Sequence, residues 1–167
     1  ARAVHGVGTN SRPTASWSEA DVMQWMTSVV RLPEYARTFS ACGVDGAFLL
    51  QLDKDLLLEI GVRKALHRAR IYAAIRTAVD AKTSALADWS VNDVVHWFSQ
   101  AVQLPRYATH IAEHEVDGMC LSEIDDEGLL EVGMSSSLHR VMVLSKLATL
   151  KDELEAASKV EENTIFA

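Results

Sequence analysis

The sequence predicts an all-α protein built as two consecutive five-helix bundles, and three observations carry that expectation. Residues 17–79 recur as residues 89–151 at a constant offset of 72 with no gap. Apolar residues fall at three- and four-residue spacings, and no segment sustains the period-two alternation of a half-buried strand. Trp17 aligns with Trp89, Leu32-Pro33 with Leu104-Pro105, and Val44-Asp45-Gly46 with Val116-Asp117-Gly118. About a third of the aligned positions are identical, and most others exchange one apolar residue for another, as Phe39 with Ile111. Modules of about 70 residues bury only about 60% of their unfolded surface, so each copy gains from docking.

Residues 1–16 are rich in Gly, Ser, Asn and Pro and have little to bury, which predicts a flexible leader. Ser18-Glu19-Ala20-Asp21 and Ser90-Val91-Asn92-Asp93 are helix starts, with a capping hydroxyl and an acid three residues on. Val22, Trp25, Met26 and Val29 then form the inner face of helix one, mirrored by Val94, Trp97, Phe98 and Ala101. Leu32-Pro33 ends that helix and seeds the second, because proline suits a first helical turn and disfavours helical geometry before it. Asp45-Gly46 and Asp117-Gly118 are turn dipeptides opening a short third helix. Asp53 and Asp125 cap a fourth helix that stops at Gly61 or Gly133. Leu66, Ile71 and Ile75, against Leu138, Val143 and Leu147, mark the longest helix of each copy. The first domain is thus expected over 17–82, a short linker over 83–88 and the second domain over 89–152. Leu147, Leu150, Leu154 and Ala157 keep a helical spacing, so 153–167 is expected to extend the last helix and then fray at Glu161-Glu162-Asn163.

Trp17-x(4)-Val22-x-x-Trp25, Leu32-Pro33-x-Tyr35, Val44-Asp45-Gly46-x-x-Leu49, Leu57-Leu58-x-x-Gly61-Val62 and Leu66-His67-Arg68, repeated in the second copy, resemble the sterile alpha motif (SAM) domain. The resemblance covers both repeats almost entirely. It departs from the pattern at Leu66 and Leu138, where many members of that family have Gly, so this surface is more apolar. The resemblance implies a protein-interaction module with other SAM domains as partners. Such domains associate when the start of helix five, the end-helix face, meets the acidic middle of another domain, the mid-loop face.

Charge patterning separates the copies. The chain carries 16 Lys and Arg against 23 Asp and Glu, a net −7, and nearly all of the excess lies in the second half. Cys42 and Cys120 are not at equivalent positions, which argues against a disulfide framework. No apolar run approaches the roughly 18 residues needed to span a bilayer, and the first residues have no signal-peptide core. The expectation is a soluble, cytoplasmic piece of a longer polypeptide with no membrane contact.

Catalytic sets are not evident: there is no Gly-rich phosphate loop, no His-Glu-x-x-His helix and no cysteine pair of zinc spacing, so neither enzyme activity nor a cofactor is expected. His110 and His114 could face one metal but have no third ligand, and the first copy has Thr38 and Cys42 there. His67 and His139 read as packing and capping residues, and the four tryptophans as core. Arg63, Lys64, His67, Arg68 and Arg70 gather at one helix start and could meet an RNA phosphate backbone, but the acidic chain opposes a polyanion.

The same cations serve assembly better. The end-helix face of the first copy is Arg63, Lys64, Leu66, His67 and Arg68, set on the positive end of a helix dipole. Its expected counterpart is the mid-loop face of the second copy: Glu115, Asp117, Glu123, Asp125, Asp126, Glu127 and Glu131. Within a chain the short linker gives such docking a high effective concentration. Between chains, unlike faces generate rings or filaments.

Overall fold

The computed structural model describes residues 12–80 and 85–165, and every regular element among them is a helix. The expected leader up to residue 11, linker residues 83 and 84, and the final residues 166–167 lie outside the described residues. The first repeat comprises α1 (Glu19–Ser28), α2 (Ala36–Ala41), α3 (Gly46–Leu49), α4 (Lys54–Ile60) and α5 (Ala65–Val79). The second comprises α6 (Val91–Gln100), α7 (Ala108–Glu113), α8 (Gly118–Ser122), α9 (Asp126–Glu131) and α10 (Ser137–Ile165).

Both first helices begin with a full capping box. The Ser18 hydroxyl accepts from the Asp21 amide, the Asp21 carboxylate accepts from the Ser18 amide, and Ser90 with Asp93 repeats the arrangement. The backbone hydrogen bond from Ser90, and then its hydroxyl, hold the Asp93 carboxyl below its ordinary pKa. A depressed carboxyl pKa stabilises the fold above the unfolded value and loses that effect as pH falls through the folded one. The start of α6 should therefore be at full strength above about pH 4 and weaken only below it. Replacing Ser90 with Ala should cost about 1 kcal/mol and move the Asp93 titration back up, which an NMR titration reads directly.

The helix-one spacing requires one correction. Val22, Trp25 and Met26 are buried, but Val29 is 44% exposed and Val30 is fully buried instead. The helix ends at Ser28, and the chain turns through Arg31 at φ 62° before Leu32, which carries Val30 inward. Ala101, Val102 and Gln103 repeat the pattern: Val102 is buried, Ala101 is exposed and Gln103 has φ 60°. Proline then opens a single 3-10 turn, Pro33–Tyr35 or Pro105–Tyr107, ahead of α2 and α7. Asp45, Asp53, Asp117 and Asp125 each accept an amide as N-cap of the helix that follows.

Structure also begins earlier in each repeat than the sequence suggests. A 3-10 turn at Thr14–Ser16 precedes Trp17, and its counterpart Ala85–Asp88 falls in the stretch expected to be linker. Leu86 in that turn is fully buried. The cause is tertiary, because Gly46 donates to the Trp17 carbonyl and Gly118 to the Trp89 carbonyl, each at 2.9 Å, clamping these segments down.

Two compact units part between Gly61 and Val62. Val22, Met26, Phe39, Leu49 and Leu57 are fully buried in the first. The second holds α5 as well as the whole second repeat, although the repeat pattern sets its boundary near residue 82. The reason is packing: Leu66 and Ala69 of α5 belong to the same buried cluster as Phe98, Ile111, Cys120, Leu121, Leu129 and Val143. The last helix continues to Ile165 rather than fraying at Glu161. Leu150 and Leu154 pack against the cluster, and residues 155–165 are exposed.

Candidate protein-docking site

Helix α5 reaches its start without a competent cap of its own. Lys64 holds the N-cap position and makes no side-chain cap bond, since an ammonium has no acceptor to offer. The Ala65 amide instead donates to the Glu131 carboxylate at 2.7 Å. A carboxylate at this position meets the positive end of the helix dipole and satisfies a donor that the helix leaves open. In the second repeat the equivalent helix is capped locally, with the Ser136 hydroxyl accepting from the His139 amide at 3.3 Å.

The Arg68 guanidinium is only 4% exposed. One nitrogen donates to the carbonyls of Val62 and Arg63 at 2.9 and 2.8 Å, and the other to Glu127 at 2.7 Å. Arg140 makes the same loop contacts, to Met134 and Ser135, but donates from its Nε to Asp126 of its own repeat at 2.7 Å. The first repeat has Lys54 at the position of Asp126, so Arg68 lacks that partner and points to Glu127.

Further along α5, Arg70 pairs with Asp117 at 3.0 Å and donates to the Glu115 carbonyl at 3.2 Å. Arg76, itself exposed, stands 3.6 Å from the half-buried Glu123, and a pair with one solvated partner contributes little. Between these polar contacts Leu66 and Ala69 are buried, and the Leu66 carbonyl lies 3.5 Å from the Cys120 sulfur.

The expected faces are thus brought together in part. Leu66 and Arg68 of the cationic face lie in the contact, as do Asp117, Glu127 and Glu131 through their carboxylates, with Glu123 at its edge. Glu115 takes part through its carbonyl, held in left-handed geometry at φ 51°. The Arg63 carbonyl accepts only locally, from Arg68, and its side chain and that of Lys64 are exposed. His67 is half-buried. Asp125 caps α9 and Asp126 pairs with Arg140, both contacts lying within the second repeat. Sequence reasoning missed Ala69, Arg76, the Ala65 amide and Cys120 as contact residues, and saw Arg70 only as a phosphate ligand. An arginine on the same helix face as Leu66 was the available signal.

Tyr107 and His139 form a 2.7 Å hydrogen bond with edge-on rings. His110 stands 3.9 Å from Glu113, His114 is exposed, and no group of three metal-binding side chains occurs among the described residues. Cys42 is exposed and Cys120 is buried. Among the described residues no helix is long and apolar enough to cross a membrane.

Comparison with known proteins gives the same two segments. The model of the SAM domain (sterile alpha motif) matches residues 15–78 and 87–151. Human Kazrin is 28% identical over 138 residues, covering 79% of this chain and 18% of Kazrin. Mouse Liprin-beta-1 is 26% identical over 140 residues, covering 83% of this chain and 14% of its own length. The Caenorhabditis elegans NAD(+) hydrolase tir-1 is 28% identical over 155 residues, covering 90% of this chain and 16% of that protein. The chain therefore spans less than a fifth of each of these relatives.

Proposed function

The chain belongs to the sterile alpha motif family as a tandem pair, a protein–protein interaction module, and from that premise we propose that it associates through the contact of α5 with α8 and α9. On this reading the first SAM domain spans 17–82 and the second 89–152, and the module is non-catalytic. It belongs to a larger cytoplasmic signalling or scaffold protein, and its partners are SAM domains, its own included. Within one chain the contact fixes the first domain's last helix, and the short link to Leu86 favours that route. The same faces used between chains would give rings or filaments.

The observation that carries this reading is the cap of α5. A helix whose own N-cap is a lysine takes its cap from Glu131, 66 residues away in sequence. The RNA-binding alternative fares worse, because Arg68 and Arg70, which a phosphate would need, are already turned to Glu127 and Asp117.

The test is charge inversion within the contact. Arg70→Glu places a carboxylate beside Asp117 and should weaken the contact by about 2 kcal/mol. Adding Asp117→Asn should restore part of the loss, because Asn still caps α8 while the repulsion is gone. Amide NMR shifts over 115–131 read the contact within a chain, and mass against concentration reads it between chains. Unchanged shifts together with unchanged mass in Arg70→Glu would sink the proposal.

A further inference from the structure

The two repeats differ where Leu66 is seated. Gly128 opens α9 to it: a Cβ built on Gly128 would lie 3.4 Å from Leu66 Cδ2 and 2.9 Å from Ile124 Cγ1. Cys120, also buried, lies beneath the Leu66 carbonyl. Together these small residues form a notch on the second repeat, occupied by Leu66.

The repeat offset places Leu56 where Gly128 stands and Phe48 where Cys120 stands. Leu56 is half-buried and Phe48 is 36% exposed, so the corresponding site on the first repeat is already filled by its own side chains. The knob is nonetheless present twice. Leu138 is the equivalent of Leu66, and with no seat it is 67% exposed, beside Val141 at 61% and Met142 at 38%. Met142 also stands where α5 has Arg70, so α10 lacks the cation that reaches Asp117.

We propose that Gly128 and Cys120 are the specificity-determining pair of this module: they admit Leu66 of α5, while Leu56 and Phe48 bar a second copy's α10 from docking on the first repeat. The module is therefore directional, with one helix-five start that can dock and one acceptor that can receive it. Growth of a chain of molecules by alternating equivalent contacts, α10 onto first repeat, is blocked by shape. This inference rests on the docking reading given above and deepens it.

The experiment uses the full chain with Arg76→Cys and Glu123→Cys, Cys42→Ser, and a bismaleimide that bridges the two introduced thiols when α5 is seated. Gly128→Leu should slow intramolecular crosslinking by about tenfold, the scale of an overpacked contact. Adding Leu66→Ala should recover it, since a smaller knob fits the filled notch. Should circular dichroism show Gly128→Leu unfolded, Leu66→Trp makes the same mismatch from the α5 side and leaves the second repeat's sequence intact. A second arm opens the first repeat with Phe48→Ala and Leu56→Gly and gives α10 its cation with Met142→Arg. That triple variant should gain mass with concentration in sedimentation, above the parent chain.

Unimpaired crosslinking in folded Gly128→Leu or in Leu66→Trp overturns the notch, as does a folded Gly128→Leu that Leu66→Ala fails to rescue. A triple variant with the parent's mass overturns the directional claim. If the parent chain itself does not crosslink, the docking reading has failed, which separates that outcome from failure of the notch alone.

Discussion

Replacing Gly118 with alanine should destabilise the second repeat by about 3 kcal/mol or more. The added Cβ would sit 1.8 Å from the Leu86 carbonyl oxygen and 2.7 Å from Trp89 Cβ. Both obstacles belong to or adjoin the backbone, so no rotamer change relieves them. Gly46→Ala should act alike in the first repeat, where Thr14 oxygen lies 1.8 Å and Trp17 nitrogen 2.9 Å from the same position. Gly61 supplies the control. A Cβ there meets nothing within 4 Å, yet its φ is +117°, so alanine should cost only the strain of left-handed geometry, about 1–2 kcal/mol. Urea denaturation of the three variants gives the order. A Gly118→Ala effect no larger than that of Gly61→Ala would mean that the Ala85–Asp88 turn is not clamped against α8.

Arg68→Met should cost about 3 kcal/mol, whereas Glu127→Gln should cost about 1 kcal/mol or less. The asymmetry follows from exposure, since the Arg68 side chain is 4% exposed and that of Glu127 is 67% exposed. Methionine keeps the aliphatic stem but strips the Val62 and Arg63 carbonyls of their donor inside a packed site. Glutamine at 127 leaves those bonds intact and removes only a partly solvated ion pair. Arg68→Lys should behave more like the methionine variant, because one ammonium cannot span two carbonyls and a carboxylate as the guanidinium fork does. Hydrogen exchange at the first amides of α5, with denaturation of the whole chain, measures both quantities. Equal costs for Arg68→Met and Glu127→Gln would show that the ion pair, and not the carbonyl clamp, anchors the helix.

The helices, their caps and much of the core were legible because they depend on neighbours in sequence. A serine three residues before an aspartate makes a capping box wherever the chain places it, and the 72-residue echo gave every element a second reading. The same locality explains the errors. Val29 continued an apolar spacing past the point where the helix stops, and Leu86 stood alone without a periodicity to mark it. Asp126 and Glu127 look alike in sequence, because nothing nearby reveals that the first pairs with Arg140 and the second with Arg68. Gly46 and Gly118 read as turn glycines, yet neither has a positive φ, and what they provide is room for a carbonyl from the preceding segment.

By itself, then, the sequence determined the all-helical duplicated fold, its family and the opposition of a cationic helix start to an acidic repeat. Tertiary structure alone decided which charges meet: α5 is capped by Glu131 and held through Arg68 and Arg70, while the first turn of α10 and Arg140 find their partners at home. The physical reason is range. Helix propensity, capping and amphipathic spacing act over a few residues, whereas the choice between two carboxylates one residue apart depends on distances set only when helices remote in sequence have packed.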